Sequence, residues 1–438
     1  MASSEIPWPA MRVAIVGGGY AGMAAAVCLA EAGVEVCVYE AGPELGGRAR
    51  RVTINDVALD NGLHILLGAY AETLRLMRLV GADPDETLAR LPLQWHIHRR
   101  FSLKAPALPA PLHLAVALLR VRGAPWRERL SAARFMRTMR GARFRLDRDV
   151  TVSELLTRHS QGPAFVRHLW EPLCVAALNT PPARASAQVF LNVLRDGLAA
   201  HRTASDLLLA RSDLSSLFPD PAAAFVRTRG GRVSIGHRVE AVEPQGDAMT
   251  VTARAESTPY DHVICAVAPH SAAPLLASIP ELHDTVAILA AFRHQPIYSV
   301  YLQLAEPFPL PAPMLGLSGM AQWVFDRDAI CGQRGLVAAV ISAEGAHQAM
   351  TQDDLAREVY RELEAELGPL PPVAWHRVIA EKRASFECTV GLQRPPMRTP
   401  LARLHLAGDY VAGDYPATIE AAVRSGVAAA NLVLQRQL

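Results

Sequence analysis

Residues 12–22, RVAIVGGGYAG, constrain the fold more than any other stretch of this chain. Four consecutive apolar residues, Val13 to Val16, predict a short buried strand. Gly17, Gly19 and Gly22 then fall in G-x-G-x-x-G spacing, and the Ala-rich run that begins with Ala21 continues as a helix. That order of elements suits a dinucleotide. Gly17 permits the tight turn, Gly19 lets the backbone approach a pyrophosphate, and Gly22 lets the helix pack on the strand. The helix N-terminus then faces the phosphates with unpaired N–H groups and a partial positive charge. A second strand, Val34–Tyr39, ends in Glu40, 23 residues after Gly17, where a ribose-binding carboxylate belongs.

The chain of 438 residues is long enough for two or three domains with substantial cores. Half of its residues are hydrophobic and 20% are charged, which makes it globular rather than disordered. A net charge of +2 gives no global argument for a nucleic-acid partner, and none is expected. The six cysteines form no C-x-x-C pair and no zinc spacing, so we expect reduced thiols, no metal site and a cytoplasmic protein. No apolar run approaches the roughly 20 residues of a membrane span. Residues 1–10, MASSEIPWPA, have neither a basic n-region nor an apolar h-region, so no signal peptide is expected there.

Beyond the first βαβ unit, residues 43–51 read as a loop with Gly46 and Gly47 in tandem, followed by DNGLHILLGAY at 60–70 and a helix over 72–80. Three prolines at 106, 109 and 111 precede the apolar run Leu112–Leu119. That run reads either as a buried helix or as an edge that dips into a membrane interface. Ten arginines then fall between Arg120 and Arg148 against two acids, Glu128 and Asp147. Arg134, Arg137 and Arg140 recur every third residue around Phe135, Met136 and Met139, which predicts an amphipathic basic helix. Its charged side is either a solvated face or a face for anionic lipid.

Residues 150–225 look helical, with a cap at Thr151-x-x-Glu154. Residues 229–242 alternate like strands of a small sheet, and 260–268 read as one apolar strand that returns to the dinucleotide domain. Strands over 298–304 and 335–341 and a helix over 353–366 predict a sheet-based substrate domain. A strand at 404–407, then Gly408-Asp409 and an Ala/Val-rich helix over 418–434, complete the chain.

These motifs resemble the flavin-containing amine oxidase and phytoene desaturase superfamily. The resemblance runs nearly the full length, and its sharp motifs lie at the two ends: VAIVGGGYAGMAAA…VYEAGPELGGRAR and LHLAGDYVAGDYPATIEAAVRSGVAAAN. It implies a non-covalent FAD. By that likeness Gly46, Gly47 and Arg48 lie along the pyrophosphate and flavin, Val239 meets the adenine, and Asp409 after Gly408 reaches the ribityl and phosphate region. The helix starting near Thr418 and Ile419 then points its N-terminus at the flavin N1/O2 locus. DNGLHILLGAY, EKRASF and LAGDYVAGDYPATIEAAVRSG look most like the squalene-associated branch, the hydroxysqualene dehydroxylases of bacterial hopanoid biosynthesis.

That resemblance implies an isoprenoid substrate and the reduction of an allylic alcohol, which needs an acid near the oxygen, support for a cation and a dry cavity. His64, Asp60, Asp414 and Tyr415 are the candidate acids or positioning groups. His64 reads equally as a buttress of its loop, Asp60 as a loop-holding carboxylate, and Asp414-Tyr415 as a turn before the helix. A phytoene-type desaturase is the alternative activity. A flavin amine oxidase fits less well, because Thr418 is not aromatic and residues 285–310 hold no lysine. A scaffold for an isoprenoid-enzyme complex is the non-enzymatic alternative.

The expected architecture is α/β: a Rossmann-like FAD-binding domain from 1–70, 225–275 and 380–438, a helical lid from 71–224, and a sheet-based substrate domain from 276–379. Peripheral membrane contact through 105–148, on the cytoplasmic face, and a transient contact with a preceding synthase are further expectations of this reading.

Overall fold

The computed structural model describes residues 11–435. Residues 1–10, where no signal peptide is expected, lie outside the described residues, as do 436–438. Five strands make a parallel sheet: β1 (Arg12–Val16), β2 (Glu35–Glu40), β3 (Arg232–Ile235), β4 (His262–Cys265) and β5 (Leu404–Leu406). Their spatial order is β3-β2-β1-β4-β5, and every neighbouring pair is parallel. A parallel sheet is covered on both faces, so its central strands read as continuous apolar runs rather than alternating ones. Helix α1 (Tyr20–Glu31) connects β1 to β2, and α2 (Ile419–Leu434) follows β5. The two helices pack closely at Gly426, where a Cβ would come within 2.1 Å of the Ala21 carbonyl oxygen.

The run 260–268 is not one strand. Glu256–Tyr260 pairs antiparallel in a three-stranded sheet with Ala248–Ala253, which pairs in turn with Val239–Gln245. His262–Cys265 belongs to the parallel sheet. The chain changes sheets at Asp261, whose carboxylate accepts the Arg12 N–H at 2.7 Å and pins the switch to the start of β1.

A second, seven-stranded sheet is built around the antiparallel trio Val373–Phe386, His294–Leu304 and Leu336–Ser342. Alternation divides its side chains between two cores. Val324, Ala339 and Ile341 pack under the helix Gln352–Leu367. Trp323, Phe325 and Val340 face the opposite way, into the largest apolar cluster. Residues 71–224 are mainly helical, with two departures from the expected lid: Leu207–Ala210 pairs antiparallel with both Ile65–Leu67 and Leu88–Leu91 in a small sheet, and a hairpin joins the second sheet. Gln94–Ile97 and Phe101–Lys104 form that hairpin, at the edge of the seven-stranded sheet. Trp95, Ile97, Phe101 and Leu103 are its buried alternate positions, a period of two set among helical segments. The strand Val373–Phe386 runs across residue 380 without a break and so carries the second sheet up to the parallel domain.

Candidate active site

The C-terminal ends of β1 and β2 open into a trench. Gly17 has φ +111°, and a Cβ there would lie 2.8 Å from the Ala266 carbonyl oxygen, so only glycine makes this turn without strain. At Gly22 a Cβ would fall 1.9 Å from the Gly17 carbonyl oxygen, which is why the first turn of α1 can sit against the loop. Gly22 therefore lies beneath the trench as packing. Gly17, Gly19, Ala21, Glu40, Gly46, Gly47, Arg48, Val239, Gly408, Asp409, Thr418 and Ile419 all line it. Glu40 ties the walls together: one carboxylate oxygen accepts the Gly18 N–H at 2.8 Å and the other the Gly42 N–H at 2.6 Å. The tandem-glycine loop is held from the same side, by the Gly46 N–H donated to the Gly18 carbonyl at 2.9 Å.

Arg48 joins the two ends of the chain. Its guanidinium donates to Asp409 at 2.6 Å and to the Ala384 carbonyl at 2.8 Å. Burial works against its charge, but the Asp409 carboxylate outweighs that and raises the guanidinium further above its ordinary value. The first turn of α2 is fixed nearby. Thr418 Oγ1 caps it by accepting the Ala421 N–H at 3.1 Å. Glu420, fully buried, accepts from Thr73 N–H at 3.0 Å, from Thr73 O–H at 2.7 Å and from Arg424 at 2.7 Å.

A second cavity adjoins the trench. Arg48, His64, Glu381, Ala384, Ala417, Thr418 and Ile419 line both spaces. Away from this boundary its walls are apolar, with Leu93, Trp95, Leu114, Leu118, Met136, Leu169, Trp170, Trp323 and Phe325 among them. Polar side chains interrupt those walls, including Asp196 and Tyr415. Tyr415 donates its O–H to Asp196 Oδ2 at 2.6 Å, and Arg195 grips both oxygens of Asp196 at 2.7 and 2.9 Å. Burial pushes the Asp196 carboxyl up, and the hydrogen bonds from Arg195 and Tyr415 outweigh it and hold the group below its usual range. Burial, with Asp196 adding to it, drives the Tyr415 phenol well above its ordinary value and keeps it protonated. Arg424 lies over the Tyr415 ring, 4.8 Å from the centroid.

His64 sits at the boundary. Its Nδ1 meets the Gly62 carbonyl oxygen at 2.7 Å, and a carbonyl only accepts, so Nδ1 carries a proton. Burial lowers its pKa, so the neutral ring leaves Nε2 as an acceptor. Asn61 donates to Glu381 and to the Arg48 carbonyl, both at 3.0 Å, and fixes the loop before His64.

The structure separates the other two candidates from this site. Asp60 lines neither space. It is 1% exposed, accepts the Leu214 N–H at 2.8 Å and faces Arg327 at 3.8 Å, and burial raises its carboxyl to about 6. Its place is that of a loop-holding carboxylate. Asp414 is exposed and lies 3.6 Å from Arg195, also outside both spaces. Residues 194–199 form a π-helical turn, and that turn puts Asp196 in the cavity wall. Sequence reading missed Asp196 and Glu381. Glu381 opens the EKRASF segment beside Lys382 and Arg383, and Asp196 lies in an ordinary helical stretch; folding brings Glu381 to the boundary and Asp196 to the cavity wall.

The residues present fit FAD. The trench has a glycine turn that a Cβ would fill, an anchored acid at the end of β2, the free N–H groups of the first turn of α1 and a second helix N-terminus at its far end. Neither lysine of the chain lines either space, and among the described residues no cluster of ligands could hold a metal ion. The family model for flavin containing amine oxidoreductase matches residues 20–434. Hydroxysqualene dehydroxylase from Rhodopseudomonas palustris is 31% identical over 439 residues, covering 96% of this chain and 98% of the relative. The "Probable zeta-carotene desaturase" of Synechococcus elongatus is 24% identical over 486 residues, covering 98% of this chain and 99% of that protein. Among solved structures, cyclohexylamine oxidase from Brevibacterium oxydans superposes with a TM-score of 0.71 at 16% identity, covering 98% of this chain and 100% of that one. The chain belongs to the flavin-containing amine oxidoreductase family and is an FAD-dependent oxidoreductase.

Proposed function

We propose that this enzyme reduces hydroxysqualene to squalene, with release of water, in bacterial hopanoid biosynthesis. The observation that carries the proposal is the likeness to the R. palustris dehydroxylase along nearly the whole of both chains. An apolar cavity that ends on the FAD trench supports it, because the substrate is a long hydrocarbon with a single polar group.

Reduced FAD, when bound, supplies the hydride that replaces the hydroxyl and is left oxidised. The leaving hydroxyl is allylic, so protonation lets it depart as water from a delocalised cation. Among the polar side chains in the cavity wall, Tyr415 Oη holds a proton that burial prevents from leaving to water. Turning that O–H from Asp196 to the substrate oxygen delivers the proton, and Arg424 over the ring offsets the charge left behind. Before the transfer, ionised Asp196 holds the Tyr415 ring in place by accepting that O–H. The aromatic and leucine walls exclude the water that would trap a cation. The capped N-terminus of α2 supplies positive potential at the boundary of trench and cavity.

The second reading is a carotene desaturase, favoured by the full-length likeness to the Synechococcus protein. The direction of electron flow separates the two. Under anaerobic conditions, the reduced holoenzyme is mixed with hydroxysqualene while flavin absorbance is followed and lipids are extracted. Reoxidation with formation of squalene is expected. A flavin that stays reduced overturns the proposal, and bleaching of the oxidised enzyme by a carotene would assign the desaturase instead.

A further inference from the structure

Two helices beside the cavity have outward faces that none of the described residues covers. Helix Leu112–Leu119 is apolar except for His113, which is buried against Ser205. Its inner side, including Leu114 and Leu118, walls the cavity, yet Leu112 is 53% exposed and Leu119 44%. The helix Trp126–Gly141 packs next to it and sends Met136 into the same cavity. On its outer side Trp126 is 65% exposed and Leu130 38%. Isolated exposed leucines are ordinary, but four large apolar side chains on two adjoining helices make a patch.

Charge surrounds that patch. At 100° per residue, Trp126, Arg127, Leu130, Arg134, Arg137 and Arg140 fall within one arc of the second helix, and all are exposed. Among the described residues, none of the ten arginines from Arg120 to Arg148 forms an ion pair, although arginines elsewhere in the chain form many. Of the two acids in this stretch, Glu128 turns inward to accept the N–H groups of Ala164 and Phe165 at 2.9 and 3.3 Å. The outward surface is therefore a strip of unpaired guanidinium groups beside leucine and tryptophan.

We propose that this face docks on an anionic lipid bilayer. Guanidinium groups meet headgroup phosphates in bidentate fashion, while Trp126 and the leucines enter the interfacial zone. A soluble acidic partner would satisfy the arginines but would not by itself account for exposed leucines on the apolar helix next to them. The proposal concerns the surface alone and stands whichever isoprenoid the cavity holds.

The test uses FAD-loaded enzyme and co-sedimentation with vesicles, either of phosphatidylcholine alone or of equal parts phosphatidylcholine and phosphatidylglycerol. The holoenzyme is expected to pellet with the anionic vesicles and to be released by salt. Each arginine near the surface is worth about fivefold in partitioning, so Arg134→Gln/Arg137→Gln/Arg140→Gln loses about a hundredfold. Leu112→Ser/Trp126→Ser weakens binding as well and leaves the salt dependence in place. Flavin absorbance shows that each variant is folded, since none of these side chains lines the trench. Wild-type enzyme that stays in the supernatant with both vesicles overturns the proposal, as does triple-variant partitioning equal to wild type. Capture by heparin without vesicle binding overturns it too, and assigns the strip to a soluble polyanion.

Discussion

Replacing Asp409 with asparagine tests how the two ends of the chain are held together. The Asp409 side chain is 6% exposed and that of Arg48 29%, with 2.6 Å between their charged atoms. Asparagine keeps the volume and removes the charge, so Arg48 is left largely buried without its ion-pair partner, with only the weaker influence of Glu381 remaining. Breaking such a pair costs about 3–5 kcal/mol, and the partial exposure of Arg48 toward the trench points to about 3 kcal/mol. Unfolding entropy of about 2.1 cal/mol/K per residue gives about 0.9 kcal/mol/K for the chain, so Tm should fall by about 3 °C. Release of flavin fluorescence on heating reads this directly, and the ratio of flavin to protein absorbance reads cofactor retention. Arg48→Met alone should cost a similar amount, because it strands Asp409. The double variant Arg48→Met/Asp409→Asn should then lose clearly less than the sum of the single losses. Losses that add to within about 0.5 kcal/mol would refute the pairing as the clasp between the two ends.

Three further outcomes are expected. Glu40→Ala frees the Gly18 and Gly42 amides together and should lower FAD occupancy after gel filtration, measured by flavin absorbance; full occupancy would contradict its place in the trench. Tyr415→Phe removes the proton held in the cavity wall, and should lower kcat for hydroxysqualene by about a hundredfold or more with FAD content unchanged. Asp60 has a folded pKa of about 6, raised above its unfolded value, so the folded state binds the extra proton. Its contribution to stability is complete below about pH 4 and is lost as pH rises through about 6, by roughly 3 kcal/mol in all. Asp60→Asn should remove that slope from a Tm-against-pH series, and identical curves for the two proteins would contradict it.

The trench was legible in the sequence because its determinants are local. A turn that needs φ +111° and a helix whose first turn touches a carbonyl both demand glycine at fixed spacing, and that spacing survives in one dimension. The strands before and after it were legible for the same reason, to within a residue or two at their ends. The polar part of the cavity wall was not. Asp196 reaches Tyr415 across 219 residues, and the turn that aims it is a π-helical widening with no residue signature. Asp60 and Asp414 drew notice as acids inside motif-bearing segments, but the first is consumed by Leu214 and Arg327 and the second faces solvent. The strand hairpin within 71–224 was written in the alternation of Trp95, Ile97, Phe101 and Leu103, a short signal among longer helical ones.

The division between ends and middle has a physical consequence for specificity. The cofactor trench is built from positions where a single methyl group collides with backbone, 1.9 Å from a carbonyl at Gly22 and 2.1 Å at Gly426, so those positions accept almost no substitution. The cavity walls are leucine, methionine and aromatic side chains supplied mainly by the middle of the chain. Apolar walls accept volume-conserving exchanges at a cost below about 1.5 kcal/mol. A chain of this design can therefore reshape its substrate cavity while the trench stays fixed. Apolar walls also discriminate weakly between one hydrocarbon and another, since a methylene is worth only about 1–3 kcal/mol of selectivity. Choice between a polyene to be oxidised and an allylic alcohol to be reduced must then come from the few polar groups that line the cavity. On the proposed reading the discriminating groups include Tyr415 and Asp196 in the cavity wall, because a substrate hydroxyl can take the O–H that Tyr415 otherwise donates to Asp196, and a hydrocarbon cannot.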